Sequence, residues 1–370
     1  MNKEDFPMVH AGMAFEFELQ QKYFDEEKVF ILQIESTLKC GQLCKYCYAN
    51  SKPNSPQGMN SLKIRELLDS AAMLDIKMID WLGGDPLLRK DWYELCIYAK
   101  ELGLINNIWT SGIPLSNHDT AREVVEVTVN GFISTHLDTI NPNLYNLIHG
   151  CHDEKIVNQN IELIQRGLKN IIQEGKNPGS IVNCITLTTP LADGDAKNMI
   201  SYMQEKFGIK TCLTLFNPVI HRNLNNTWEP SIKQIDDNFS HRDKINYPDD
   251  SSCGPMDVSK FYCGTMICVK ADGWVTPCSV IHTKEFGNIN EESLENIIER
   301  TKNRLLFHEF RDPSKLPGNC GNCTNNINCF GCRSSAFYYN GDIMAADPKC
   351  YNFTPNNQKI KEEESENFSS

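Results

Sequence analysis

Three cysteines, Cys40, Cys44 and Cys47, fall within the eight residues CGQLCKYC. Thiolates are the preferred ligands of iron–sulfur clusters, and a cubane cluster offers four irons to bind. Three protein thiolates leave one iron open to an exogenous ligand, by the same logic that keeps one position free at a catalytic zinc. Three thiols therefore point to chemistry where four would point to structure. A second array lies towards the C-terminus. It comprises Cys263, DGWVTPC ending at Cys278, CGNC at Cys320 and Cys323, CFGC at Cys329 and Cys332, and Cys350. Its C-x2-C pairs also suit a zinc ribbon, but ribbon pairs stand about 15–20 residues apart. Here only five residues separate them.

The chain around these thiols has 370 residues, a net charge of -12 and 23% charged residues, a soluble globular composition. Acidity of this size argues against nucleic acid, whose phosphates want a basic face. No apolar run reaches the length of a membrane span, and the start MNKEDFPMVH lacks a signal-peptide core. The expectation is a cytoplasmic protein with no membrane partner. Sixteen cysteines in that compartment mean metal or catalysis rather than disulfides.

Elements able to position the first thiols alternate regularly. Strands are expected at VFILQIE (from Val29), KMIDWLGG (from Lys77), NNIWTSG (from Asn106), GFISTHLD (from Gly131), IVNCITLT (from Ile181) and TCLTLFNP (from Thr211). Ile64, Leu67, Leu68, Ala71 and Leu74 recur at helical spacing behind Asn60 or Ser61 as N-cap, and further helices are expected over 155–175 and 195–208. Six such units predict an α/β fold, a partial (β/α)6 barrel with its chemistry at the C-terminal strand ends. The expected organisation is an N-terminal extension (1–27), the barrel (28–220), an Asn-, Asp- and Pro-rich connector with little regular structure (221–258), a small cysteine-rich domain (259–352) and a disordered acidic tail (353–370).

C-x3-C-x2-C with Tyr46 before its last cysteine resembles the radical S-adenosylmethionine (SAM) superfamily. The likeness continues at successive strand ends. Gly83, Gly84, Asp85 and Pro86 are similar to the family's GGEP-type motif that holds the SAM amino group. Thr110, Ser111 and Gly112 resemble its TNG, whose polar residue helps bind SAM. HLDT resembles SLDG, with Asp138 in place and His136 at the serine position, and IHG at Ile148 to Gly150 replaces a common RG. The resemblance implies a cluster on Cys40, Cys44 and Cys47 that binds SAM. Reductive cleavage of SAM then gives a 5′-deoxyadenosyl radical that abstracts a substrate hydrogen. It also implies a flavodoxin or ferredoxin electron donor and oxygen sensitivity.

The second array resembles the SPASM extension of such enzymes, which carries two further [4Fe-4S] clusters and brings the total to three. Position by position, Cys263, Cys278 and Cys332 would hold the first auxiliary cluster, with Cys268 or Cys253 as fourth ligand. Cys320, Cys323, Cys329 and Cys350 would hold the second. One spacing departs, Cys329 to Cys332 being C-x2-C where the family has C-x3-C. Cys96, Cys151, Cys184 and Cys212 are expected to pack as small hydrophobes.

Members of this extended family modify peptides and proteins or act on small molecules, including tetrapyrroles. Ser279 stands where sulfatase-maturing relatives have a proton-accepting aspartate, which disfavours formylglycine formation. About 28 residues before the first strand are too few for a leader-peptide domain. The ending CFGCRSSAFYYNGDIMAADPKC is similar to that of the heme-biosynthesis branch. Oxidative modification of a peptide or protein side chain is the first expectation, and tetrapyrrole or other cofactor biosynthesis the second. A multi-cluster electron carrier is a third, although a carrier gains nothing from an open iron. Acid–base candidates are His136, Asp138, His149 and Tyr145, each equally at home as a hydrogen-bonded group at a strand end.

Overall fold

The computed structural model describes residues 8–10, 13–15, 17–151, 153–218, 227–246, 259–283 and 285–351. A short hairpin of β1 (Met8–His10) and β2 (Met13–Phe15) precedes a helix over Phe17–Asp25. All six expected strands then form: β3 (Ile31–Thr37), β4 (Met78–Gly83), β5 (Ile105–Trp109), β6 (Ile133–Thr135), β7 (Ile181–Leu187) and β8 (Lys210–Leu215). They lie side by side in chain order and run parallel. The sheet stays open, with β8 at one end.

Alternation along these strands divides the core in two. Leu32, Ile34, Ile79, Trp81, Ile108 and Ile133 face the helical layer. Ile31, Met78, Val182, Cys184 and Cys212 form a second cluster on the opposite face, where Cys184 and Cys212 line a cavity. Burial on both faces explains why the strands read as nearly continuous apolar runs. The helices end where their caps dictate. Asn60 accepts the Lys63 amide to start Ser61–Met73, and Gly208 closes Asp195–Phe207 in the left-handed conformation. The long helix runs over Glu154–Gln173.

One expectation about organisation needs correction, and the cysteine-rich region also extends the sheet. Its strand β9 (Met266–Val269) pairs in parallel with β3, and β10 (Trp274–Thr276) and β11 (Gly287–Asn288) continue antiparallel beyond it, giving nine strands. The span expected to be an irregular connector contains a helix over Ile232–Asn246. Its buried face mixes Ile235 and Phe239 with Asn238, Arg242 and Asn246, so hydrophobic periodicity is faint there. The acidic tail and Cys253 lie outside the described residues.

Candidate active site

The loop after β3 carries Cys40, Cys44 and Cys47 and is pinned by its neighbours. Gln42 Nε2 donates to the His136 carbonyl at 2.7 Å, the Lys45 amide to Ile148 O at 3.0 Å, and the Asp85 amide to Lys39 O at 2.7 Å. The turn after β4 packs directly on this loop. A Cβ on Gly83 would sit 2.0 Å from the Thr37 carbonyl oxygen, and one on Gly84 2.2 Å from that of Lys39, so only glycine fits either position. The three thiols line one cavity together with Tyr46, Gly83, Gly84, Ser111 and His136.

Asp85 and Pro86 stand behind the cavity wall rather than on it. The Asp85 carboxylate accepts from Thr110 Oγ1 at 2.9 Å, Ser111 N at 3.0 Å, Ser111 Oγ at 2.5 Å and Leu87 N at 3.2 Å. It thereby fastens the end of β4 to the end of β5. Burial raises its pKa while these donors oppose the rise.

His136 and Asp138 lie just past the short strand β6. Asn183 on β7 holds them there, its side chain accepting from Leu137 N at 2.9 Å and donating to Leu137 O at 3.0 Å. An amide side chain thus continues the ladder two residues beyond the strand and turns His136 and Asp138 into place. The Tyr46 hydroxyl donates to Asp138 Oδ2 and bonds His136 Nε2. His149, last residue of the helix Pro142–His149, brings Nε2 to 3.2 Å from the same carboxylate, and Tyr145 lies against its ring. Burial would raise Asp138, but the His136 charge and hydrogen bonds from both histidines hold it well below the usual carboxylate range. Burial would lower His149, yet the Cys44 charge and the Asp138 contact lift it to about 9. Burial pushes Cys40 and Cys47 up. Cys44 goes the other way: against the same burial, the His149 charge and hydrogen bonds from His136 and His149 bring it down to about 6.

The second cysteine array meets the first across the cavity, because Cys263, Cys278 and Cys332 line it too. Cys268 is buried on β9 two residues from Met266, on the same face, and its thiol is raised by burial, by Glu35 and by Cys278. Behind this wall, Gly331 adopts φ +75°, where an added Cβ would lie 3.1 Å from Cys320 Sγ, and its amide donates to Cys329 Sγ at 3.2 Å. Arg333 clamps the same turn, donating to the carbonyls of Phe330 (2.5 Å), Gly331 (3.2 Å), Ile343 (3.1 Å) and Ala345 (2.8 Å).

Residues that sequence reasoning passed over also reach the site. Cys184 and Cys212 are buried as expected, but they line the cavity instead of filling the core behind it. Gln33 on β3 accepts the Ser279 amide at 3.2 Å, and Glu35 bonds His282 Nε2 at 2.6 Å. The alternation of β3 carried no signal for these two, since every residue of the strand is buried.

The radical SAM superfamily pattern matches residues 34–203, and that of the SPASM iron–sulfur cluster-binding domain matches 261–324. The chain belongs to the radical SAM superfamily. Among curated relatives of this radical SAM chain, the AdoMet-dependent heme synthase of Oleidesulfovibrio alaskensis is 23% identical, over 85% of each chain. The PqqA peptide cyclase of Rhodopseudomonas palustris is also 23% identical, over 86% of this chain and 85% of its own. Among solved structures, native anSMEcpe with bound AdoMet and the Cp18Cys peptide superposes with a TM-score of 0.63 at 17% identity, covering 86% of this chain and 92% of that one. Family membership makes the chain an enzyme of iron–sulfur clusters and SAM. The donor set fits that role: three thiols from one loop, a bare glycine backbone beside them, and further thiols across the same cavity.

Proposed function

We propose that this enzyme reductively cleaves SAM in the cavity between the two cysteine sets, and that the resulting 5′-deoxyadenosyl radical takes a hydrogen from a peptide or protein side chain. The observation that carries the reading is that Cys40, Cys44 and Cys47 share one cavity with Cys263, Cys278 and Cys332. When bound, a cluster on the three loop thiols supplies an open iron for SAM and the electron that cleaves it. The chain's own residues do the positioning. Gly83 and Gly84 let the turn after β4 pack against the loop and line the cavity, Ser111 offers a hydroxyl, and Asp85 holds the strand ends that carry them. Tyr46, His136 and Asp138 brace the Cys44 side of the loop.

Cys263, Cys268, Cys278 and Cys332 would hold one auxiliary cluster and Cys320, Cys323, Cys329 and Cys350 a second, three in all. A flavodoxin or ferredoxin in the cytoplasm is the electron source this reading calls for. No helix among the described residues is long and apolar enough to cross a membrane. A tetrapyrrole substrate is the second reading, favoured by heme synthase relatives that align over 85% of this chain.

Anaerobic reconstitution with iron and sulfide, followed by SAM and a low-potential reductant, tests the proposal. The expected result is about twelve irons per chain and formation of 5′-deoxyadenosine. Replacing Cys40, Cys44 and Cys47 together by alanine should abolish cleavage and leave about eight irons. Twelve irons without cleavage, even with peptides and porphyrin precursors supplied, would turn the reading towards electron transfer.

A further inference from the structure

The cavity wall carries two thiols that neither cysteine set uses. Cys184 on β7 and Cys212 on β8 are direct partners in the parallel register, and both line the cavity. Thr186 and Thr214 continue the same face one rung on, their hydroxyls bonded at 3.1 Å. The pair sits between the two arrays. On one side Cys184 is within hydrogen-bonding reach of His136, which also touches Cys44. On the other, the apolar cluster holding both thiols includes Tyr262 and Met266 and packs against Cys263 and Cys278.

Valine or alanine would fill that space without reactive chemistry. A cysteine S–H bond is much weaker than an aliphatic C–H bond, so a carbon-centred radical within reach takes its hydrogen downhill. Two thiols in the wall of a cavity that generates such radicals therefore either serve as donors or intercept the reaction at every turnover.

We propose that Cys184 and Cys212 form a hydrogen-atom donor site for a carbon-centred radical held in this cavity. The inference rests on the radical reading above and specifies how the substrate radical ends, by regaining hydrogen at carbon rather than by oxidation. A C–H bond forms as the Cys212 Sγ–H bond breaks, leaving a thiyl radical that the neighbouring Cys184 sulfur, drawn towards thiolate by its hydrogen bonds with Cys212 and His136, can share. An iron–sulfur cluster, which Cys263, Cys278 and Cys332 would help to hold, would supply the one electron and water the one proton that restore the thiol. The substrate class is one whose carbon has its hydrogen replaced, as in inversion of a stereocentre.

The test uses the reconstituted protein, freed of small-molecule thiols and transferred to D2O, with SAM and titanium(III) citrate and no other substrate. The 5′-deoxyadenosyl radical should then take deuterium from the exchanged thiols, and the 5′-deoxyadenosine should gain one mass unit. The double variant Cys184→Ser and Cys212→Ser, whose O–D bonds are too strong to donate, should lose this label. Unlabelled product from the unaltered enzyme, or label undiminished in the double variant, overturns the assignment. Absence of 5′-deoxyadenosine altogether overturns the radical reading itself and this inference with it. A second readout needs no turnover. Phenylarsine oxide, which closes on adjacent thiols, should bind the cluster-loaded protein and map to Cys184 and Cys212, and failure to map there overturns the pairing.

Discussion

Glu35 on the first strand of the large sheet meets His282 of the cysteine-rich region at 2.6 Å, across 247 residues of chain. The other oxygen of the carboxylate accepts the Ala271 amide at 3.2 Å, so one buried side chain joins both halves of the cavity wall. Hydrogen bonds to charged groups contribute about 1.5–3 kcal/mol each. Glu35→Ala should therefore destabilise the iron-free chain by roughly 3 kcal/mol, read as a lower urea midpoint. Combining it with His282→Ala should cost less than the two changes separately, with a coupling of about 1 kcal/mol. Strict additivity would mean that the contact contributes nothing.

Asp85 makes a different prediction because three of its four donors, Thr110 Oγ1, Ser111 N and Ser111 Oγ, lie just past the end of β5. Asp85→Ala should retain the iron at Cys40, Cys44 and Cys47 yet slow SAM cleavage by about 100-fold, the scale expected from a misplacement of about 1 Å. Asp85→Asn, which keeps one acceptor oxygen, should fall between. Unchanged cleavage by the alanine variant would remove Asp85 from the site.

The glycine pair should prove intolerant of even one methyl group. With Thr37 and Lys39 carbonyl oxygens at 2.0 and 2.2 Å from the added Cβ, the cysteine loop has to move. Gly84→Ala should cost at least about 1–3 kcal/mol, the usual penalty for overpacking. The same substitution should lower the iron content by about four per chain, one cluster's worth. Full iron loading in Gly84→Ala would show that the loop can be displaced without consequence.

Thiol reactivity in the iron-free chain follows from the opposite shifts of neighbouring cysteines. With its pKa brought down to about 6, Cys44 is mostly thiolate at pH 7, whereas Cys40 and Cys47 stay protonated. The thiolate is the nucleophile. Iodoacetamide at pH 7 should label Cys44 ahead of the other two, and the difference should narrow as the pH falls through 6. His149→Gln removes a charge that favours the thiolate, so it should raise the pKa and slow labelling at pH 7. Equal rates at all three positions would refute the electrostatic account.

Much of this organisation was legible before any coordinates. Strand and helix alternation is a local property, and each of the six strands and the helix behind Asn60 formed where apolar spacing and caps placed them. The spacing of Cys40, Cys44 and Cys47 was equally plain. Contacts made across the chain were not legible. Asn183 holding Leu137, Glu35 holding His282 and Gln33 holding Ser279 each depend on register between distant segments, which no window of sequence contains. Cys184 and Cys212 illustrate a subtler limit. Burial was foreseeable from residue type, but whether a buried side chain faces helices or cavity depends on the curvature of the sheet. The helix Ile232–Asn246 was hidden because much of its buried face is polar.

The parallel pairing of β9 with β3 has a consequence for how the protein is made. Ile31 is synthesised early, while its partner Met266 comes far later in the chain. At about 5–20 residues per second, the roughly 230 intervening residues take on the order of 10–50 s to translate. Through that interval the first strand presents a bare row of amides and carbonyls along one side, in a segment of unbroken apolar character. A nascent chain halted or cut before β9 keeps that edge open and invites pairing with another copy. The cysteine-rich region therefore does more than bring thiols: it covers that edge of β3, and until it arrives the open sheet is an aggregation hazard.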